Sequence, residues 1–111
     1  MLKMSSIKQV MMVPRPVSSR VQAAAVSIGE QLVVWRKLHG LTAAQVAERA
    51  GISRGTLRRV EVGDAGVSLQ AFLSVARALG VLESVVTALD PYETDLGRAR
   101  ADEILPRRVR H

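Results

Sequence analysis

Three arginines lie close together in the middle of the chain. Arg54, Arg58 and Arg59 would share one face of a helix, together with Gly55. A guanidinium is always charged, and its planar donors match both phosphate oxygens and the major-groove edge of guanine. These residue types at this spacing predict contact with a nucleic acid, and they leave open whether each arginine reads a base or grips a phosphate.

Other chemistry finds little support in the residue types present. The 111-residue chain has no cysteine, which excludes thiolate catalysis and cysteine-held metals. Neither His39 nor His111 has a neighbour at metal-ligand spacing, and no nucleophile is plausibly paired with a base. A glycine-rich phosphate loop is also missing. We therefore expect no enzymatic activity, no metal and no cofactor.

Charge and hydropathy narrow the class of partner. The net charge is +6, and residues 1–26 carry Lys3, Lys8, Arg15 and Arg20 without an acid. This balance favours a polyanionic partner, although most of the excess lies in the N-terminal segment, which we interpret as a flexible basic arm. No uncharged apolar run approaches the roughly 20 residues that span a bilayer. We expect a cytoplasmic protein without membrane contact.

The arginines need a helix to carry them, and the stretch LTAAQVAERAGISRGTLRRVEVG predicts one. Thr42 can cap helix two of the predicted domain, and Gly51 can end it in the left-handed conformation. Ser53 can then cap helix three, which contains all three arginines. Ala47 is small enough for a close crossing of the two helices, and Leu57 points inward. A short helix that is apolar inside and cationic outside fits the major groove of DNA.

Further helices complete the predicted core. Ser68 can cap a fourth helix, and residues 82–89 can form a fifth. Residues 27–39 have the spacing of a first helix. Its apolar stripe, which we expect to face the core, is Ile28, Leu32, Trp35 and Leu38.

The sequence therefore predicts an all-α protein in three parts. These are the arm (1–26), a domain of five helices (27–89) and a C-terminal tail (90–111). Residues 21–26 of the arm can extend the first helix backward. Within the tail, residues 93–104 can form one further helix with a thin apolar stripe. Its alternating charges favour a solvated face, and a dimer or partner contact is the alternative.

Two segments of the chain resemble a known family. LTAAQVAERAGISRGTLRRVEVG followed by SLQAFLSVARALGV is similar to the Cro/lambda-repressor-like helix-turn-helix domain of the XRE regulators. The similarity covers about residues 27–89. It implies a five-helix DNA-binding domain, with double-stranded DNA and a second copy of the chain as partners.

The resemblance also implies roles for individual residues. The positions of Arg54, Gly55 and Arg59 reach base edges, and Arg58 lies beside them. The remaining expected roles are contact with the DNA backbone for Thr42, Ser53 and Thr56, and a structural part for Ala47, Gly51, Leu57 and Glu61.

Two positions depart from the family pattern. Ala43 stands where the family usually has a glutamine that helps to fix a phosphate. Gly55 replaces a side chain that often reads a base, so we expect direct readout there to be lost. The three arginines can compensate, since one bidentate arginine–guanine pair contributes ~1–3 kcal/mol of discrimination.

The function expected from these features is a sequence-specific repressor that acts as a homodimer on a palindromic operator and regulates its own operon. The tail sequence DPYETDLGRARADEILPRRVR resembles the ends of HipB-like antitoxins. It implies an alternative, an antitoxin whose main role is to bind and neutralise a HipA-like kinase toxin. The basic run at residues 107–110 either adds phosphate affinity or only keeps the end soluble.

Overall fold

The computed structural model describes residues 16–104, and its regular structure in this range is helical without any strand. This confirms the all-α fold class. No described helix has both the length and the apolar character needed to cross a membrane. The elements are α1 (Ser19–Leu38), α2 (Ala43–Ala50), α3 (Arg54–Glu61), α4 (Leu69–Ala78), α5 (Leu82–Ala88), a 3-10 turn (Pro91–Glu93) and α6 (Asp95–Ala99).

Side-chain caps fix where the central helices begin. Thr42 and Gln45 form a reciprocal capping box, in which the Gln45 N–H donates to Thr42 Oγ1 at 3.1 Å and the Thr42 N–H donates to Gln45 Oε1 at 2.9 Å. Ser53 and Ser68 cap α3 and α4 with a single hydrogen bond each, accepting from the N–H three residues later. Gly51 ends α2 with φ 71°, a conformation that glycine adopts without a steric penalty. These boundaries are therefore encoded locally.

One aliphatic core joins the first four helices. Its most completely buried large side chains come from α2, α3 and α4 and from the residue that ends α4: Val46, Leu57, Val75 and Leu79. α4 packs against both α2 and α3, while α1 packs against α3. No polar or charged side chain is buried in the part of the chain that the structure describes. The hydrophobic effect therefore makes the main contribution to holding α2, α3 and α4 in one unit.

The first helix begins earlier than the apolar pattern indicates. α1 starts at Ser19 instead of Ser27, and Ser18 caps it by accepting a hydrogen bond from the Val21 N–H at 3.1 Å. The helix therefore crosses the predicted boundary between arm and domain at residue 26, and its backward extension reaches Ser19. The rest of the arm, residues 1–15, lies outside the described residues.

The apolar stripe of α1 is mostly on the surface. Leu32 is 5% exposed, but Trp35 is 43% exposed and Leu38 is 71% exposed. The expectation that the stripe faces the core is confirmed for Leu32 and wrong for the other three residues, because the buried residues of α1 are only Gly29 and Leu32. The Trp35 ring instead stacks on His39, with ring centroids 6.1 Å apart.

The tail forms two short helical segments where the sequence predicts one helix. Thr94 has extended backbone and caps the short helix α6, accepting from the Gly97 N–H at 3.0 Å. A turn at Arg100 separates α6 from the helical residues 101–104. Gly97 is needed here, since a Cβ would overlap the carbonyl oxygen of Pro91. The prediction of a single helix over 93–104 is therefore wrong, and residues 107–110 lie outside the described range.

Candidate nucleic-acid interface

The inner face of α3 is fully packed. Leu57 has no exposed surface, Val60 is 4% exposed, and Ala47 of α2 beneath them is 2% exposed. Gly51 and Ile52 form the corner between the helices, where the Ile52 N–H donates to the Ala47 carbonyl oxygen at 3.0 Å. This packing fixes which face of α3 points away from the core.

The outer face of α3 carries the arginine cluster. Arg54, Gly55, Arg58 and Arg59 are all exposed. An eight-residue helix is about 12 Å long and fits a major groove about 12 Å wide. A Cβ at Gly55 would meet only Ser53 Oγ, at 3.9 Å, so glycine is not required there by packing. The backbone at Gly55 is open to close approach.

A groove of about 420 Å³ runs between the start of α2 and the outer face of α3. Ala43 lies at its α2 side, where the first N–H groups of a helix have no partner within the helix and favour an anion. Ala43 itself offers no polar side chain, but arginines lie around it. The groove is lined by Arg36, Ala43, Arg54, Gly55, Leu57, Arg58 and Glu61.

Two of the three hydroxyls predicted to contact the DNA backbone, those of Thr42 and Ser53, also cap helices. Thr42 Oγ1 accepts from the Gln45 N–H, and Ser53 Oγ accepts from the Thr56 N–H at 3.0 Å. Ser53 Oγ lies 2.9 Å from Thr56 Oγ1 and donates to it. Because each hydroxyl has one donor and two acceptor sites, Thr42 and Thr56 keep a proton to donate to a phosphate.

Glu61 has a partner that sequence spacing could not identify. Arg36 Nε donates to Glu61 Oε2 at 2.8 Å, and Arg36 Nη2 donates to Oε1 at 3.4 Å. Arg36 Nη1 also donates to the carbonyl oxygen of Leu41 at 3.3 Å. The two side chains are 17% and 15% exposed, so this ion pair is well shielded. The contacts of Arg36 join the end of α3 to α1 and to Leu41, which lies between α1 and α2.

Arg59 is also paired, with an acid in the loop after α3. Its Nε donates to Asp64 Oδ2 at 2.7 Å, and Asp64 Oδ1 accepts from the Gly66 N–H at 2.8 Å. The hydrogen bond from Arg59, followed by that from Gly66, lowers the pKa of the Asp64 carboxyl below its usual value. The sequence places Arg59 in the outward arginine cluster and gives no signal for this contact.

The N-terminal half of α1 supports the far end of α3. Gln22 Nε2 donates to the carbonyl oxygen of Gly63 at 3.2 Å. Gly63 has φ 81°, and a Cβ there would lie 2.5 Å from the Cα of Val26. Helix α1 therefore presses against the turn that ends α3, with contacts that only the folded chain brings together.

The helical pair, its corner and the capped start of each helix match a known family. A family model described as helix-turn-helix matches residues 34–85. Residues 34–85 are therefore similar to a helix-turn-helix domain. This match supports the resemblance to the XRE regulators and supports a DNA-binding transcription regulator. No curated protein and no solved structure gives a significant match to the chain.

The predicted contact residues lie on two neighbouring helices. Arg54, Arg58, Arg59 and Thr56 are on α3, which Ser53 caps, and Thr42 caps α2. The predicted structural residues take part in the packing of the helices. Ala47 and Leu57 are in the core, Gly51 is at the corner, and Glu61 is in the ion pair. The DNA contacts themselves stay predictions.

Proposed function

We propose that this protein is a sequence-specific repressor that binds a palindromic operator as a homodimer and regulates its own operon. The observation that carries the proposal is the outer face of α3. Arg54, Arg58 and Arg59 are exposed there, on a helix whose opposite face is buried. Cationic side chains on a fixed, protruding helix are what major-groove readout requires.

Sequence preference, as opposed to general affinity for polyanions, requires that the arginines start from a fixed backbone. Ser53 fixes the start of α3, and the ion pair between Arg36 and Glu61 fixes its end. An arginine held in this way can meet guanine O6 and N7 with two parallel hydrogen bonds. A floppy cationic segment would instead favour phosphates at every sequence.

Two copies of the domain are needed for a site of useful length. A helix of eight residues reaches along only about 12 Å of DNA, which is roughly four base pairs. Two recognition helices related by a two-fold axis would read half-sites about 34–36 Å apart. The homodimer therefore accounts for the expected palindrome.

An apolar surface on α1 and α5 suits contact with a second copy of the chain. We call it the α1–α5 patch and define it by Ile28, Trp35, Val86 and Leu89, which are 41%, 43%, 60% and 83% exposed. A groove of about 400 Å³ lies between the two helices, and Leu89 stands at its rim. Because groove and protruding side chain share one surface, a two-fold pair can insert each Leu89 into the other copy. The groove shares no lining residue with α3, so DNA contact stays free.

A gel shift with the full chain tests the repressor proposal. The probes are DNA from the promoter of the protein's own gene and a shuffled duplex of the same composition, each at a low and a moderate salt concentration. The proposal predicts tighter binding to the promoter, with affinity that falls steeply as salt rises because counterions are released. Equal binding to both probes would contradict sequence-specific repression.

A second candidate function is that of an antitoxin for a HipA-like kinase toxin, and the tail favours it. Leu96 is 67% exposed and Ile104 is 51% exposed, on a segment with a defined turn and cap. Exposed apolar side chains on an ordered tail suit contact with another protein.

Co-expression with the product of the adjacent gene tests this candidate. The full chain should copurify with that product and suppress its kinase activity, while a Leu96→Glu variant should lose both effects and still bind DNA. Copurification that is unaffected by Leu96→Glu would exclude Leu96 from the contact. No copurification with the wild-type chain would leave only the repressor.

A further inference from the structure

Arg59 and Asp64 touch at two points. The Asp64 N–H donates to the carbonyl oxygen of Arg59 at 2.9 Å, and Arg59 Nε donates to Asp64 Oδ2 at 2.7 Å. Backbone and side chain of the same two residues are therefore joined. The arginine side chain is 53% exposed and the aspartate side chain 39% exposed, so the pair lies at the surface beside the outer face of α3.

The carboxylate of Asp64 is itself held in place by the loop. Its Oδ1 accepts from the Gly66 N–H at 2.8 Å, and its carbonyl oxygen accepts from the Val67 N–H at 3.2 Å. A Cβ at Gly66 would lie 3.1 Å from Oδ1 and 3.7 Å from Arg59 Nη2, so the loop backbone fits closely beneath the pair. Arg59 is therefore bound to a fixed point and not to a mobile surface acid.

This contact leaves one end of the guanidinium free. A guanidinium has five N–H donors, of which one belongs to Nε. Nε is occupied by Asp64, whereas Nη1 and Nη2 have no hydrogen-bond partner within residues 16–104. The side-on approach, which uses Nε, is blocked. The end-on approach, through Nη1 and Nη2 together, remains open to the O6 and N7 atoms of a guanine.

We propose that Asp64 is a positioning residue for DNA readout, which holds Arg59 so that its Nη1 and Nη2 atoms meet a single guanine end-on. The inference rests on the proposed function. Asp64 touches no base in this arrangement and acts through Arg59. It adds an acid from outside α3 to the determinants of sequence preference.

The charge of Asp64 makes the proposal sharply testable. A carboxylate near DNA repels phosphates, so its removal should tighten binding to every duplex if charge were its only effect. Positioning predicts the opposite sign for the preferred sequence, because an untethered arginine spreads over many rotamers and must be ordered again on binding. The two effects therefore separate when preferred and shuffled duplexes are compared.

The experiment uses the full chain and two labelled duplexes. One is the sequence recovered from a random library by selection with the wild-type protein, and the other is its shuffled counterpart. Asp64→Asn should weaken binding to the selected duplex by about five- to tenfold, since part of one bidentate pair is lost. Binding to the shuffled duplex should stay unchanged or tighten. Glu83→Gln is the matched control, because it removes one exposed acid elsewhere and should not reduce the preference.

A double-mutant cycle with Arg59→Ala identifies the route of the effect. In the Arg59→Ala background, Asp64→Asn should no longer weaken binding to the selected duplex. Thermal melts of each variant check that the fold is kept. Replacing the guanines of the selected duplex one at a time by 7-deazaguanine, which lacks N7, should reveal one position that matters to the wild type and not to Arg59→Ala.

Three outcomes overturn the inference. If Asp64→Asn tightens binding to both duplexes equally, Asp64 acts only through its charge. If it weakens binding by the same factor with and without Arg59, it acts through the loop. If the wild-type chain does not distinguish selected from shuffled DNA, the proposed function fails first and the inference fails with it.

Discussion

The Cα of Gly29 on α1 lies directly against the backbone at the end of α3. A Cβ at this position would be 2.5 Å from the carbonyl oxygen of Glu61 and 2.7 Å from that of Val60. The two helices therefore cross at backbone contact. The helix that carries the arginines takes part of its position from α1, a helix that contributes none of the predicted DNA contacts.

Gly29→Ala should destabilise the protein by about 1–3 kcal/mol, because the added methyl group must push two backbone elements apart. This loss outweighs the gain in helix propensity, which is at most ~1 kcal/mol. Urea denaturation measures the change. Gly55→Ala is the control, since its Cβ would meet only Ser53 Oγ at 3.9 Å, and it should leave stability unchanged or slightly raised. Equal stability of the two variants would contradict the close crossing.

The ion pair between Arg36 and Glu61 should show strong energetic coupling. Both side chains are shielded, so removing one partner leaves the other poorly solvated. In a double-mutant cycle of Arg36→Met and Glu61→Gln, we expect a coupling free energy of about 1–3 kcal/mol. The exposed pair of Arg98 and Asp95, 3.6 Å apart, is the reference and should give under about 0.5 kcal/mol. If the coupling free energy between Arg36 and Glu61 were as small as that of the exposed pair, the ion pair would not anchor α3.

The Asp64 carboxyl should titrate below its ordinary pKa of 3.8, because it accepts hydrogen bonds from Arg59 and from the Gly66 N–H. Carbon-detected NMR titration of the side chain measures this pKa, and Arg59→Gln should raise it. A carboxyl with a lowered folded-state pKa stabilises the fold above its unfolded pKa, and this contribution is lost as pH falls through the folded value. Wild type should therefore exceed Asp64→Asn in Tm near neutral pH. The difference should shrink below about pH 4.

A pKa of Asp64 that Arg59→Gln leaves unchanged would contradict the pairing. Asp90→Asn is a suitable control for the titration, since it removes an acid from the start of the tail, where it caps the 3-10 turn. It should not move the Asp64 signal.

Features encoded within a few residues were predictable from the sequence. The caps at Thr42 and Ser53 and the turn at Gly51 each depend on neighbours in the chain, and the helix pair follows from them. The exact start of α1 could not be predicted, because Gln22 is the one polar residue of the segment VQAAAV and periodicity gave no signal there. The high helix propensity of its alanines was the available clue.

Contacts between distant residues could not be predicted in this way. Arg36 and Glu61 are 25 positions apart, and nothing in their spacing pairs them. The prediction that Trp35 packs in the core failed for a related reason. Helical spacing shows that an apolar stripe exists, but whether the stripe faces the core depends on where α1 crosses it, which Gly29 determines. The position of Arg59 on the outer face of α3 was predictable from helical spacing. Its ion pair with Asp64 was not, because Asp64 lies beyond the end of the helix.

Leu89→Glu should convert a dimer into a monomer. Leu89 is 83% exposed and stands at the rim of the groove in the α1–α5 patch, where a second copy would bury it. A buried, unpaired carboxylate in that interface is strongly unfavourable. Light scattering coupled to size exclusion measures the mass in solution. Leu69→Glu is the control, since Leu69 is 69% exposed and lies outside the patch. A monomeric wild type, or a dimer in both variants, would contradict dimerisation through this surface.

The most direct test of the account is the binding of an Arg54→Ala variant to selected and shuffled DNA, with Lys37→Ala as a control of equal charge change. Arg54 is exposed at the first position of α3, whereas Lys37 is exposed on α1. If α3 reads bases, Arg54→Ala should weaken binding to the selected duplex by about 10- to 100-fold and to the shuffled duplex far less. Lys37→Ala should change both binding constants little and to the same extent. An equal loss on both duplexes for Arg54→Ala, matching that of Lys37→Ala, would contradict base readout by α3.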